Sequence, residues 1–272
     1  MLSCGAMRLV ALLLAAVVSA APAQSHTTAG ASAGYVAFSG ERSEQALSGI
    51  VELQLNNWLS VYAVPVWLHV SDTASGRTVS SSGPGDLPLF AAAEYASSTE
   101  WSPTVAAAFS MVLPTGKASC GLGNGVTTAE LDLGVAVAPG EGRAHISADA
   151  NRSLSGVAAR SSLSGPSGTT LRFEAGYDFT PQWTWTASVG VDVGADSTPD
   201  RSVGLGVRHS IAGPLALVVD GSHGLTSTSP QWVLSVGLGT AYNGPSPVAP
   251  TSPLRRLKTT FGSGSGHTKS GC

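Results

Sequence analysis

Charged residues are scarce in this sequence of 272 residues, and their scarcity narrows the class of protein. Only 11% of the residues are Asp, Glu, Lys or Arg, against about 25% in an ordinary soluble domain. The formal net charge is −3, and no basic stripe is present. The composition therefore argues against a nucleic-acid partner and does not favour an ordinary water-soluble domain.

Long apolar runs and cysteine pairs are scarce as well. No run of 18 or more apolar residues exists outside the N-terminus, which excludes a helical membrane protein. Of the three cysteines, Cys4 belongs to the N-terminal segment, which leaves Cys120 and Cys272. Their spacing gives no reason to expect a disulfide, and no Cys/His pattern predicts a metal site or a cofactor.

The N-terminus has the features of a secretory signal peptide. Arg8 is followed by an apolar segment at 9–21 and by the small-residue motif Ala-Pro-Ala at 21–23. This order of a positive residue, a short apolar run and a small-x-small site is typical of a cleaved signal. We expect cleavage after Ala23, so that residues 1–23 are absent from the mature protein.

The rest of the chain is dominated by alternation of apolar and polar residues with a period of two. At 126–138, for example, Leu131, Leu133 and Val135 fall on one face and Glu130 and Asp132 on the other. Such alternation is the signature of a strand whose two sides face different environments. Twelve segments show the pattern, and no segment after the signal has a helical period. The predicted strands lie at 33–40, 47–56, 59–71, 85–97, 102–113, 126–138, 143–151, 171–179, 183–193, 203–208, 215–220 and 232–242.

Short turns and longer loops follow each other between these strands. An even number of strands joined in this way is typical of outer-membrane barrels. A soluble β-sandwich also alternates, but the signal peptide, the low charge and the loop pattern together favour the membrane. We therefore predict an all-β fold, an antiparallel transmembrane β-barrel of about twelve strands with periplasmic termini. The short turns are predicted at 56–57, 98–101, 139–140, 181–182 and 212–214, and the longer loops at 72–84, 114–125, 154–168, 196–200 and 225–230.

In such a barrel the apolar face of each strand contacts lipid, and the polar face lines the lumen. Lipid contact is accordingly expected for the apolar face of the strand at 59–71, and aromatic residues beside the short turns are expected to form a girdle at the membrane interface. That apolar face consists of Tyr62, Val64, Val66, Leu68 and Val70. The girdle residues are Trp58, Trp101, Trp183 and Tyr242.

Charged residues on the polar faces are the candidate lining of the lumen. Acidic groups outnumber basic ones, even with His145 counted among the latter, which predicts a cation-favouring or mixed-polarity channel. The alternative is that the charges pair across strands and close the interior. The candidate lining consists of Glu52, Glu94, Glu130, Asp132, Asp149, Arg172, Glu174, Asp178, Asp192, Arg208 and Asp220.

Three short motifs resemble a known family: GDL at 85–87, LPTG at 113–116 and GLGNG at 121–125. They are similar to motifs of the Gram-negative outer-membrane barrels assigned to transport in the phenol meta-degradation pathway. The resemblance spans roughly 45–242. It implies a barrel in the outer membrane and uptake of small hydrophobic or aromatic compounds, and it supplies no catalytic residues. The loop residues Pro114, Gly116, Gly121, Gly123 and Gly125 would lie at the outer mouth.

The chain shows little sign of catalytic chemistry. Residues 30–34, Gly-Ala-Ser-Ala-Gly, match the G-x-S-x-G pattern, but no segment after the signal has a helical period, so the strand-to-helix turn of a nucleophile elbow is not expected there. His145 and Ser147 share a strand face but are about 7 Å apart, too far for a nucleophile–base hydrogen bond. We therefore expect a non-enzyme that conducts small molecules passively. The alternatives are a non-conducting structural or binding barrel of the cell envelope and a lipid hydrolase acting at the barrel rim.

These predictions divide the chain into three parts. Residues 1–23 form the signal, 33–242 the barrel, and 243–272 a tail rich in Pro, Gly and Ser that is expected to be disordered. The expected partners are outer-membrane lipid, a small-molecule solute and the barrel-assembly machinery. Outer-membrane barrels commonly end on an aromatic residue, and this chain instead continues for 30 residues past Tyr242.

Overall fold

The computed structural model shows a single antiparallel β-sheet that closes on itself. The strand pairing, burial and contacts below all concern the part of the chain that the structure describes. That part consists of residues 26–38, 42–56, 58–74, 77–97, 101, 103–139, 143–155, 169–193, 200–213, 215–226 and 229–240.

Fourteen strand segments build the described part of the sheet. The one helical element among the described residues is a 3-10 turn at Ala118–Cys120. No described helix is long and apolar enough to cross a membrane. The strands are β1 (His26–Ala37), β2 (Arg42–Gln54), β3 (Leu59–Ala63), β4 (Val66–Ala74), β5 (Arg77–Pro84), β6 (Leu87–Ala96), β7 (Thr104–Leu113), β8 (Thr128–Val137), β9 (Ala144–Ser155), β10 (Thr169–Thr180), β11 (Trp183–Val193), β12 (Asp200–Ala212), β13 (Leu215–Gly224) and β14 (Trp232–Gly239).

In two places, two consecutive segments together form one strand of the barrel wall: β3 with β4, and β5 with β6. β3 and β4 are separated by Val64 and Pro65, yet Val64 N–H donates to the carbonyl of Pro88 and Gly49 N–H donates to that of Pro65. The ladder therefore continues through the break, and β2 pairs with both β3 and β4. β5 and β6 are likewise separated only by Gly85 and Asp86. When each of these two pairs is counted as one strand, the fourteen segments form the twelve-strand antiparallel barrel that the sequence predicts.

The first and last strands close the barrel. β1 pairs antiparallel with β14 on one side and with β2 on the other. Because Gly30 of β1 lies opposite Gly239 of β14, the chain enters and leaves the barrel at the same rim. The tight connections such as Pro181–Gln182 lie at this end, which we call the turn rim, and the opposite end is the loop rim. The assignment of the turn rim to the periplasm stays a prediction.

The structure differs from the predicted strands in several places, and β2, β12 and β13 are longer than predicted, at Arg42–Gln54, Asp200–Ala212 and Leu215–Gly224. β1 begins at His26 rather than at position 33. The predicted loop at 72–84 is wrong, because β4 and β5 form a paired hairpin there, with Thr73 opposite Thr78. The Ser- and Thr-rich segment lacks apolar alternation, but backbone hydrogen bonds to β4 hold it extended. β9 runs to Ser155, and the rest of the loop predicted at 154–168 lies outside the described residues.

The outer surface of the barrel is apolar. Along β10 the exposed positions include Leu171, Phe173 and Tyr177, while the polar residues between them are less exposed and face the interior. The same arrangement recurs around the sheet, so the large exposed side chains form a continuous apolar band. A closed barrel with such a band satisfies its backbone internally and presents hydrocarbon-compatible groups outward.

Exposed tryptophans mark both edges of this band. Trp58, Trp101 and Trp183 lie beside connections of the turn rim, and Trp67 and Trp232 are exposed nearer the loop rim. From Trp58 to Trp67 the strand rises about 30 Å, which a tilt of about 40° reduces to about 23 Å. This height is close to the ~25 Å apolar band of outer-membrane barrels. Tyr242, the fourth predicted girdle residue, lies outside the described residues.

Candidate channel interior

Most of the charged groups of the barrel interior lie on β8–β13, which we call the polar half. The eleven charged residues named from the sequence all lie at interior-facing positions of β2, β6 and β8–β13. Asp178 accepts a hydrogen bond from Thr184 at 2.5 Å, and Thr184 Oγ1 in turn accepts one from Arg208 at 3.1 Å. This chain of contacts joins β10, β11 and β12 and fixes the Arg208 guanidinium against the wall.

Arg172 organises the middle of the polar half. It lies directly opposite Asp149 in the β9–β10 ladder and donates to Ser188 Oγ at 2.9 Å. Asp149 and Asp220 are both within its electrostatic reach. Glu174 is its inward neighbour two positions along β10, and Asp192 is buried near the loop rim of β11. Arg172 is therefore the positive group among several acidic residues on this wall.

The acidic residues of β8 have a different neighbour. Asn151 of β9 donates to Glu130 Oε2 at 3.1 Å and to Asp132 Oδ1 at 2.7 Å. One neutral amide thus bridges two carboxylates that face the same space. Glu52, on the far side of β3, accepts a hydrogen bond from Thr28 at 2.9 Å, and Glu94 faces the interior from β6.

The other half of the interior is apolar, and the alternation in the sequence did not predict this. The prediction that one face of the strand at 59–71 contacts lipid is wrong. All five residues of that face are buried and point inward: Tyr62, Val64, Val66, Leu68 and Val70. They join a cluster formed with Ile50, Phe90, Ala92, Ala106, Ala108, Cys120, Leu122, Ala216 and Val218.

A signal for this inward face was present in the sequence. From Val61 to Leu68 the residues read VYAVPVWL, an apolar run on both faces of the strand. Alternation assigns one face to lipid and the other to a polar lumen, but a strand that is apolar on both sides is expected where both sides are buried. The outward face here carries Pro65 and Trp67, and the inward face the five cluster residues.

The loop at 114–125 folds into the mouth of the barrel. Asp86, in the break between β5 and β6, accepts hydrogen bonds from Gly116 N–H at 3.0 Å and Asn124 N–H at 2.7 Å. Thr115 Oγ1 donates to the carbonyl of Gly85 at 2.7 Å. We call this group of contacts the Asp86 clasp. It brings together the three motifs that are distant in the sequence.

Two glycines of the loop are required by close packing. A Cβ on Gly116 would overlap the carbonyl of Leu122, and a Cβ on Gly123 would overlap the Asp86 carboxylate. Gly121 and Gly125 instead have φ of 71° and 73°, a region that favours glycine. Pro114 directly follows β7. The backbone at Gly116 therefore packs directly against the carbonyl of Leu122, and the backbone at Gly123 against the Asp86 carboxylate, with no room for a side chain.

The tip of the loop belongs to the apolar half. Cys120 and Leu122 are each 4% exposed and pack in the apolar cluster. Cys120 is disulfide-bonded, which the cysteine spacing did not predict; the other two cysteines lie outside the described residues. Leu122 also approaches Gly83 and Gly85, so the loop covers the end of β5 from inside.

His145 and Ser147, considered as a pair for rim hydrolysis, both point into the barrel. His145 is 2% exposed, and its ring lies over Gly176, its direct partner in the β9–β10 ladder. A Cβ on Gly176 would overlap that ring. The glycine thus provides the space that the imidazole fills, which indicates a packing role for His145.

Replacing Gly176 with alanine is expected to lower barrel stability, because the added methyl group must displace a fully buried ring. Overpacking of this kind costs about 1–3 kcal/mol. The midpoint of heat-dependent unfolding, followed by gel migration, measures the effect. The double variant Gly176→Ala/His145→Ala is the matched control: it should recover part of the loss, and equal destabilisation of the single and double variants would contradict this packing.

The fold and the amphipathic interior define the class: a closed, twelve-strand antiparallel β-barrel of the outer-membrane type. Solved structures agree on the fold. The COG4313 outer membrane channel from Pseudomonas putida F1 is 16% identical, with a TM-score of 0.62, over 81% of this chain and 96% of that one. The KdgM porin is 10% identical, with a TM-score of 0.52, over 77% of this chain and 97% of that one.

Comparison of sequences adds nothing to this. No family model matches the chain, and no curated protein matches it either. At such low identities the structural likeness establishes the fold alone.

Proposed function

We propose that this protein is an outer-membrane channel through which small molecules, hydrophobic or aromatic ones among them, diffuse passively. The observation that carries the proposal is the divided interior. A solute with an apolar body can contact the Tyr62–Leu68 side while its polar group contacts the charged wall of β8–β13. An exclusively polar lumen would disfavour such solutes, since burial of apolar surface drives their binding.

An outer-membrane location is part of the proposal and is supported by two other features. The signal-like segment at 1–23 directs the chain across the inner membrane, and the outer apolar band between the two levels of exposed tryptophans suits a lipid bilayer. Outer-membrane lipid and the barrel-assembly machinery are then its partners. Because the chain continues past the last strand, the machinery would read an internal signal in β14.

Membership of the phenol meta-degradation transporter family is part of the proposal. Its support is the convergence of the three motifs on the Asp86 clasp, where Gly85, Asp86, Thr115, Gly116 and Asn124 are in direct contact. Short glycine-rich motifs that meet at one structural feature are more specific than the same motifs scattered through a fold.

A non-conducting barrel is the second candidate, and one observation favours it. The apolar cluster contains Leu122 from the inward loop and Val218 from β13 as well as Leu68 from β4. Side chains from different parts of the circumference therefore pack in one cluster. Such packing would suit a barrel that binds a ligand or strengthens the envelope without an open path.

Single-channel recording in planar bilayers separates the two candidates. We expect the refolded full-length protein to give discrete conductance steps with a preference for cations, because acidic groups exceed basic ones on the interior wall. Heat-modifiable gel migration of the same sample shows that a closed barrel was added. If barrels that pass this check give no steps and no solute uptake, the channel proposal fails and the closed barrel replaces it.

A further inference from the structure

The disulfide of Cys120 has two candidate partners in the sequence. Cys120 is disulfide-bonded, and the other cysteines of the chain are Cys4 and Cys272. Cys4 lies in the predicted signal peptide at 1–23, which is removed from a secreted protein. A bond between the Cys120 residues of two barrels is excluded, because this residue is 4% exposed and packs inside the barrel. Cys272 is therefore the partner that remains in the mature chain.

Cys120 and the end of the last strand lie toward opposite rims. Cys120 belongs to the loop that connects β7 with β8 at the loop rim and folds into the mouth. The last described residue lies at the turn rim, where Thr240 Oγ1 donates to the carbonyl of Ala29 at 3.1 Å. A bond between Cys120 and Cys272 therefore requires the tail to pass from the turn rim to the inward loop.

The lumen is the route that suits this tail. On the outside it would cross the apolar band, where unpaired backbone groups and charged side chains are costly. The 32 residues from Thr240 to Cys272 span about 105 Å when fully extended, several times the ~25 Å height of an apolar band. The tail is thus long enough to reach Cys120 through the barrel with slack to spare. Its basic residues are Arg255, Arg256, Lys258 and Lys269.

The polar half of the interior is accessible to solvent. Asp149, Glu174 and Asp220 lie midway along β9, β10 and β13 and point inward, yet each is half-buried rather than buried. Nine of the eleven charged residues of the candidate lining are half-buried in this way. Solvent therefore reaches these side chains inside the barrel, and an extended chain can lie in this space along the polar half. The apolar cluster on the other side is closely packed.

The tail and the polar half have complementary charges. Of the eleven lining residues, nine are acidic and two are basic, whereas residues 243–272 include four basic residues and no acidic one. Asp192 in particular needs a positive partner: it is 8% exposed, and neither carboxylate oxygen has a hydrogen-bond partner among the described residues. Its direct ladder partner is a second carboxylate, that of Asp200. Such a pair is costly unless a cation compensates it.

We propose that Cys120 is bonded to Cys272 and that the tail at 243–272 lies in the lumen along the polar half, as a built-in occupant of the barrel. The four prolines at 245–253 have no backbone N–H and favour an extended conformation, so this part can follow the wall without pairing with it. The basic group at 255–258 then meets the acidic residues. The inference rests on the proposed channel function for one consequence, a narrowed path.

Mass spectrometry of the mature protein tests the bond. The protein is isolated from membranes, alkylated and digested with trypsin without reduction. Cleavage after Lys and Arg places Cys120 in peptide 118–143, Cys272 in 270–272 and Cys4 in 1–8. We expect peptide 118–143 to be linked to 270–272, in the unchanged protein and in the control variant Cys4→Ser. A link to peptide 1–8, or an alkylated thiol at Cys272, would overturn the inference.

Limited trypsin digestion of the folded mature barrel in detergent tests where the tail lies. We expect cleavage at 255–258 to be at least about tenfold faster after a dithiol reductant is added, because proteolysis tracks the fraction of molecules in which a segment is accessible. The reductant supplies two electrons and two protons, which convert the disulfide into two thiols, and is itself oxidised to a disulfide. Cys272→Ser should be cleaved rapidly with and without the reductant, and Cys4→Ser should match the unchanged protein. Equal rates in all four cases would overturn the location of the tail in the lumen.

Planar-bilayer recordings relate the tail to conduction. We expect larger conductance steps after reduction and in Cys272→Ser, since both release the tail from the lumen. Conducting barrels whose steps stay the same in both cases would overturn its location in the path. A barrel whose tail is bonded and protected from trypsin, but which conducts in neither redox state, would instead refute the channel function while leaving this inference intact.

Discussion

Replacing Asp86 with alanine is expected, once the disulfide of Cys120 is reduced, to release the inward loop and to raise single-channel conductance several-fold. The carboxylate accepts two backbone hydrogen bonds, from Gly116 and Asn124, and hydrogen bonds to a charged group contribute about 1.5–3 kcal/mol each. Without them the amides of the loop lose their buried acceptor. Leu122 then leaves the apolar cluster, and the path that its side chain covers widens.

Planar-bilayer recordings of Asp86→Ala and the unchanged protein measure this effect. Asp86→Asn keeps one acceptor oxygen and should give an intermediate conductance, whereas Thr115→Val removes only the bond to Gly85 and should change little. Recordings with and without a reducing agent separate the clasp from the disulfide of Cys120, since either one alone can restrain the loop. A conductance for Asp86→Ala equal to that of the unchanged protein under both conditions would show that the clasp does not hold the loop.

Arginine at position 205 is expected to destabilise the barrel in a lipid bilayer by about 2–4 kcal/mol, the cost measured for charged side chains at the bilayer midplane. Leu205 is 67% exposed and lies midway along β12, opposite Ala187 and Gly221. Its surroundings on the outer face are apolar, so the guanidinium would have to reach the interface or draw water into the bilayer.

Reversible denaturant unfolding from lipid vesicles gives the free energy of unfolding for this variant. Leu205→Met preserves an apolar side chain of similar volume and should stay within about 1.5 kcal/mol of the unchanged protein. If Leu205→Arg were as stable as Leu205→Met in vesicles, the exposed apolar band would not be in contact with lipid.

Alternation in the sequence predicted most of the barrel, because in a strand the direction of each side chain follows from its position alone. For β10, the assignment of Phe173 to one face and Glu174 to the other requires no knowledge of partners. The number of walls and the placement of Trp58, Trp101 and Trp183 beside the short turns followed from the same reasoning.

The features that were missed depend on what lies opposite a residue. Leu68 and Trp67 are both apolar, and only the closed sheet shows that Leu68 packs inside while Trp67 faces outward. The β4–β5 hairpin was missed because backbone pairing, rather than side-chain pattern, holds Thr73 beside Thr78. The Asp86 clasp joins residues 30 and 38 positions apart, a contact that no local pattern encodes.

The seam between β1 and β14 dictates the order in which this molecule is completed. Gly30 and Gly239 are about 210 residues apart in the sequence, and bringing such distant segments together costs about 5 kcal/mol of chain entropy. Because β14 is the last strand in the described part of the chain, the barrel stays open until this strand has been synthesised. Until then β1 presents an unpaired edge that can recruit strands from other chains, so a growing chain must be shielded until its two ends meet.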